Sequence, residues 1–119
     1  GFSTEISLTL TAWMEEVALA LDKGLVITVY YGHESSELYS DYRCHGTLSS
    51  FYRHIEMPNP YGHIGDQDIT AHVDFSSVMN GSELLGLRNL SLTTQRSFLI
   101  NLGAQQMLQR LVRSDLNQG

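Results

Sequence analysis

Residues 65–75 read Gly-Asp-Gln-Asp-Ile-Thr-Ala-His-Val-Asp-Phe, an alternation that sets Asp68, Thr70, His72 and Asp74 on one side of an extended chain. Ile69, Ala71 and Val73 fall on the other side, where a core would take them. A carboxylate, a hydroxyl, an imidazole and a second carboxylate in one row can line a cleft that holds a polar group and moves its proton. His72 is the candidate proton carrier, because an imidazole with a reference pKa of about 6.5 takes either state near neutrality. Asp68 or Asp74 can orient that imidazole or meet a cationic target. The same alternation also describes a solvated strand face. Asp74 further stands where a helix N-cap carboxylate would accept backbone N–H groups.

Other polar residues fit known constellations less well. Arg53 carries a planar fork that can take a carboxylate bidentately or brace Asp68. His33, His45, His54 and His63 could join His72 and Asp74 around a metal, but their spacing follows no zinc or two-histidine pattern, so no metal site is expected. No Gly-x-Ser-x-Gly turn supports a serine hydrolase. No G-x-G-x-x-G turn opens a helix after a strand, so these residues are expected to provide no cofactor-binding loop.

The elements that must position these groups are partly legible. Ile6, Leu10, Trp13, Met14, Val17 and Leu21 recur at three- and four-residue steps, predicting a helix capped at Ser3 or Thr4 and stopped around Gly24. Residues 25–31, rich in β-branched and aromatic types, predict a buried strand that ends at Gly32. From His33 to Gln67 the helical period vanishes, and residues 33–67 read as one long loop on the substrate side, with a short strand over 47–52. A strand over 69–73, a helix from Asp74 to Gly86 weakened by Gly81, a strand over 87–93 and a helix capped by Thr94 complete the pattern. A second apolar stripe of Met107, Leu108 and Leu111 follows Gly103, and the last six residues are expected to fray.

Composition narrows the class. With 119 residues, the chain suits a single domain or a fragment of a larger one. Thirteen acidic against seven basic side chains give a net charge of −6, which opposes a phosphate backbone and makes nucleic acid an unexpected partner. No apolar run is long enough to span a bilayer, so no membrane association is expected. Cys44 is the only cysteine, which excludes an intrachain disulfide and fits a reducing compartment.

Three separated runs carry a resemblance. Residues 46–54, with Gly46, Thr47 and Leu48 followed by Tyr52, Arg53 and His54, come first. The 65–75 motif is second, and residues 94–103, Thr-Gln-Arg-Ser-Phe-Leu-Ile-Asn-Leu-Gly, are third. In this order and spacing the chain resembles the C-terminal part of the MidA-like family of S-adenosylmethionine-dependent methyltransferases, from about Leu25 to Gly103. The resemblance implies an α/β chain: the C-terminal half of a class I, Rossmann-like methyltransferase fold, with helices packed on a small mixed sheet. It implies methylation of a protein side chain, with arginine as the acceptor, S-adenosylmethionine held by the complete protein, and no cofactor bound by this chain alone. His72, Asp68 and Asp74 take the catalytic positions of the motif, and Tyr31, Arg53, His54, Gln67 and Thr70 the substrate-side positions. The family's Asp-Tyr-Gly strand end is matched at Tyr31 and Gly32, while Tyr30 replaces the aspartate. A phenol cannot stand in for a carboxylate that pairs with a guanidinium. The implied location is the bacterial cytoplasm or the mitochondrial matrix. The implied partners are a protein substrate or an assembly partner, with self-association through an exposed sheet edge or apolar face. A non-catalytic protein-binding module that keeps the fold is the alternative reading.

Overall fold

The computed structural model describes residues 1–116 and divides into two compact units, Gly1–Asn89 and Leu90–Gly119. In the first unit, helix α1 spans Leu10–Ala20 and helix α3 spans Phe75–Leu84. They meet where Met14, only 4% exposed, lies against Gly81; a Cβ on Gly81 would collide with the Met14 thioether. The glycine that weakens α3 as a helix residue is therefore the one that lets α1 approach it.

Helix α1 starts later than its apolar stripe predicts. Thr9, not Ser3 or Thr4, precedes its first turn, and Ile6 lies outside it. The N-terminal residues are held by tertiary contacts instead. The Ser3 N–H donates to the Cys44 carbonyl at 2.8 Å, and the Glu5 carboxylate accepts from the Thr47 and Leu48 N–H groups.

Residues 33–67 form several short elements where one loop was expected. Strand β1 is Gly32–His33, helix α2 is Ser35–Leu38 and a 3₁₀ turn covers Asp41–Arg43. Strands β2, Ser49–Tyr52, and β3, Ile55–Met57, make an antiparallel hairpin with Tyr52 opposite Ile55. Its two-residue loop is Arg53-His54, both in the left-handed region with φ of 52° and 66°. Two positive-φ residues in a two-residue hairpin loop are the type I′ requirement that Asn-Gly usually meets. Arg and His meet it under backbone strain.

The 65–75 stretch is not one strand. Asp68–Thr70 is strand β4, antiparallel to β2 in the sheet order β3-β2-β4, with Ser49 opposite Thr70 and Phe51 opposite Asp68. Val73–Asp74 is strand β5, parallel to β1 in a separate two-stranded pair, with Gly32 opposite Val73 and His33 opposite Asp74. Ala71 and His72 form the switch between the two sheets. Gly32 is required there, because a Cβ would strike the Val73 carbonyl oxygen and the Phe75 ring. The expected core position of Ile69 is not realised: it is 54% exposed.

The predicted strand over 25–31 is not formed, and Leu25, Ile27 and Val29 are exposed. Apolar, β-branched composition supplies a strand's surface but not the neighbouring backbone that a ladder needs. Among the described residues only its last residue meets such a neighbour, the Tyr31 carbonyl accepting from the Val73 N–H at 2.9 Å, and the ladder begins at Gly32. Residues 87–93 also form no strand, because the end of α3 folds back on itself. The Leu87 N–H reaches the Ser82 carbonyl, the Gly86 N–H reaches the Glu83 carbonyl and Gly86 has φ of 81°, which together make a Schellman stop. Asn89 then donates to the Met79 carbonyl and to Glu83.

In the second unit, α4 spans Gln95–Asn101, capped as expected by Thr94, whose Oγ1 accepts from the Ser97 N–H. Gly103, with φ of 89°, separates it from α5, Ala104–Leu116. The helix thus runs through the beginning of the tail expected to fray, whose last three residues lie outside the described part.

Candidate functional site

The switch between β4 and β5 places His72 beside the β1 end. Its ring lies 6.5 Å from the Tyr31 ring in a stacked arrangement and 5.1 Å from the His33 ring at a 40° tilt. Glu37 Oε1 bridges behind His33, 3.0 Å from His33 Nδ1 and 3.1 Å from an Arg43 Nη2. Burial is the largest influence on His72, and neighbouring His33 and Arg43 act in the same direction; Glu5 opposes them, and the net shift is downward from 6.5. The imidazole is therefore held neutral at physiological pH. Its Nδ1 is buried and has no hydrogen-bond partner, as are Arg43 Nε and Gln67 Oε1. Buried polar atoms in native structures are normally paired, so these three mark the places where a ligand or an ordered water is called for.

The His72 backbone is fixed from the other side. A sheet switch strands an N–H that neither ladder can use, and Thr47 Oγ1 accepts it at 2.9 Å. The Thr47 hydroxyl in turn donates to Glu5 Oε2 at 3.3 Å. Gly46, with φ of 76°, leaves the space that the Glu5 carboxylate fills. Burial would raise the Glu5 pKa, but the N–H groups of Thr47 and Leu48 and the Thr47 hydroxyl outweigh it and hold the carboxyl ionised below its usual value.

Asp74 has a different environment. Its carboxylate accepts from the Ser76 and Ser77 N–H groups at 3.0 and 3.2 Å, from the Ser77 hydroxyl at 2.7 Å and from the Ser35 hydroxyl at 2.8 and 2.9 Å. Tyr39 adds a further hydrogen bond. Burial would raise its pKa, and these bonds lower it on balance. Its lone pairs are committed to capping α3 and tying α2 to it, which realises the N-cap alternative.

The remaining predicted site residues lie apart from His72 along the sheet. Because Thr70 faces Ser49 and Asp68 faces Phe51, the Arg53-His54 tip projects past the Asp68 end of β4, about 13 Å along β2 from Ser49 at roughly 3.3 Å per residue. Arg53 does not brace Asp68; its guanidinium carbon lies 5.2 Å from the centroid of the Tyr52 ring. The same ring stacks on His63 at 4.1 Å and 9°. Gln67 donates through Nε2 to the Pro60 carbonyl. Asp68 and Thr70 are exposed. The common face of Asp68, Thr70, His72 and Asp74 that alternation implies is broken at residues 71 and 72, where the backbone changes partners.

Sequence reasoning missed Glu5 altogether and gave Thr47 and Glu37 no role in the site. Glu5 meets its partners across 42 residues of sequence, and no local pattern signals such a contact. Among the described residues no group of three or more His, Cys, Asp or Glu could hold a metal ion, and no helix is long and apolar enough to cross a membrane.

Residues 1–93 match the model of a family described as "Putative S-adenosyl-L-methionine-dependent methyltransferase". The chain belongs to that methyltransferase family. Two solved structures from Burkholderia thailandensis agree. One is an uncharacterized COG1565 superfamily protein, 35% identical with a TM-score of 0.91, matched over 98% of this chain and 31% of its own. The other, described as a COG1565 superfamily member and "likely methyl transferase" bound to S-adenosyl-homocysteine, is 35% identical with a TM-score of 0.88, matched over 96% of this chain and 30% of its own. The chain thus spans about a third of the length of these methyltransferase-like structures, a partial α/β fold in agreement with the MidA-like resemblance. No curated protein matches it.

The glycines that pack closely here do so against this chain's own atoms. Gly32 meets Val73 and Phe75, Gly46 meets Glu5, and Gly81 meets Met14.

Proposed function

We propose that this chain forms the acceptor side of a methyltransferase that modifies a protein side chain, and that the methyl donor is held by residues outside it. When bound, S-adenosylmethionine supplies an electrophilic methyl group. The observation that carries the proposal is the His72 imidazole, buried at Nδ1, without a partner there and held neutral. A neutral imidazole with an open nitrogen can accept the proton that an acceptor nitrogen releases.

Arginine is the acceptor this setting favours. A guanidinium stays charged in water, so an acidic surface attracts it, and the chain carries a net charge of −6. Asp68, exposed on β4, is free to meet it. The strained Arg53-His54 tip, together with Gln67, whose Oε1 has no partner, and Thr70, provides a second region for the polypeptide around the acceptor. Tyr31 flanks His72 and forms the near wall. Asp74 supports this site through α3 and β5 and does not reach the acceptor.

The test is transfer of an isotopically labelled methyl group by the complete protein to arginine-bearing peptides, with lysine-bearing peptides as controls. Label on arginine that disappears with His72→Ala supports the reading. Label on lysine alone, or transfer indifferent to His72, contradicts it.

A further inference from the structure

The hydrogen bonds that fix His72 come from a part of the chain remote from the 65–75 motif. His72 lies between β4 and β5 and cannot share either ladder. Without a side-chain acceptor its N–H would be stranded, and the backbone would be free to turn the ring away from Tyr31 and His33. Thr47 Oγ1 is that acceptor at 2.9 Å. A hydroxyl accepts well along its lone pairs only when its own hydrogen is directed elsewhere, and Glu5 Oε2 at 3.3 Å takes that hydrogen. Glu5 is locked in turn by the Thr47 and Leu48 N–H groups, and Gly46 alone among residue types leaves room for its carboxylate.

We infer that Glu5 and Thr47 are positioning residues for His72: a carboxylate-to-hydroxyl-to-backbone clamp that holds the imidazole at the sheet switch. This inference rests on the reading of His72 as the proton-accepting group. The groups facing the ring are Tyr31 and His33 from the β1 end, with Arg43 and Glu5 contributing charge. Thr47 bonds the His72 backbone N–H, so its effect on the ring is exerted through geometry.

The clamp is tested in the complete protein with Thr47→Val, which keeps shape and removes the hydroxyl, and Thr47→Ser, which restores it. Two readouts are taken: the NMR titration midpoint of the His72 imidazole and the kcat for methyl transfer. Thr47→Val should move the His72 midpoint up toward the ordinary histidine value as the ring loosens and lower kcat up to about 100-fold, the scale of a misplaced catalytic group. The KM for the methyl donor should stay unchanged, and Thr47→Ser should restore both readouts. An unmoved midpoint and unchanged kcat in Thr47→Val overturn the clamp. A shifted midpoint with unchanged kcat upholds the clamp and overturns the catalytic role of His72, so the two failures are distinct. Glu5→Gln is the second variant: it keeps hydrogen-bonding atoms but loses the charge, and should give a smaller loss of kcat than Thr47→Val. A loss confined to protein yield, with normal kcat in the folded fraction, would make both residues structural only and end the inference.

Discussion

Two residues apart, His72 in the sheet switch and Asp74 at the end of β5 show opposite uses of a polar side chain. Asp74 spends its carboxylate on bonds from Ser35, Tyr39, Ser76 and Ser77, and so fastens α2 and α3 to β5. His72 is fastened only through its backbone, and its Nδ1 is left open. A saturated group stabilises the fold and has nothing left to offer a ligand. An unsaturated buried group costs stability and is retained where chemistry uses it. Local spacing gives both residues the same standing; hydrogen-bond accounting separates them.

The contrast is broken most directly at Asp74. Asp74→Ala removes an N-cap and leaves the Ser35 and Tyr39 hydroxyls without their acceptor, an expected loss of about 2–4 kcal/mol in denaturant unfolding. If Asp74→Ala were stable but inactive, Asp74 would join His72 as a chemical group. Gly81→Ala should cost about 1–3 kcal/mol by forcing the Met14 side chain aside, with the activity of the folded fraction preserved. A neutral result would show that α1 and α3 have slack at that contact.

Acid should act on the two residues in the same sense for different reasons. Asp74 and Glu5 have lowered pKa values when folded, so their contribution is present above their ordinary values of 3.8 and 4.5 and is lost as pH falls through the lower folded values. His72 is also lowered, so between its ordinary 6.5 and its folded value the unfolded chain binds the extra proton and stability declines with falling pH. Unfolding followed from pH 7 to 3 should therefore show a shallow decline that His72→Gln removes and a steeper one that Asp74→Asn reduces. A flat profile above pH 5 in the parent protein would contradict the half-buried, neutral imidazole. The smallest effect is expected at the hairpin tip, where replacing Arg53-His54 by Asn-Gly relieves the left-handed strain and should stabilise by about 1 kcal/mol. If the tip holds the acceptor polypeptide, the same change raises KM for the peptide and leaves kcat in place.

How much of this was legible in the sequence follows the range of the interactions. The helices with local signals were readable: Asp74 and Thr94 as caps, Gly86 as a stop and the apolar stripe of α1 depend on contacts within a few residues. The strand over 25–31 is not formed because its composition describes a surface and not a ladder, and β5 reaches only its last residue, Tyr31. The 65–75 motif was read as one strand because alternation continues through Ala71 and His72, while the hydrogen-bond partner changes there. Strain at Arg53-His54 had no signal, since neither residue is a usual left-handed type. The sequence points to His72 and Tyr31, whose rings the fold brings within 6.5 Å, yet the bonds that hold His72 from Glu5 and Thr47 span 25 and 42 residues. No periodicity records such distances.

The proposed place of His72, on the acceptor side of methyl transfer, can be checked by one comparison. Donor affinity and the turnover of an arginine-bearing peptide are measured on the complete protein and on its His72→Ala variant. Unchanged S-adenosylmethionine binding is expected, with turnover lowered roughly 100-fold, the scale of general acid–base catalysis. Donor binding lost along with turnover, or turnover left intact, would contradict it.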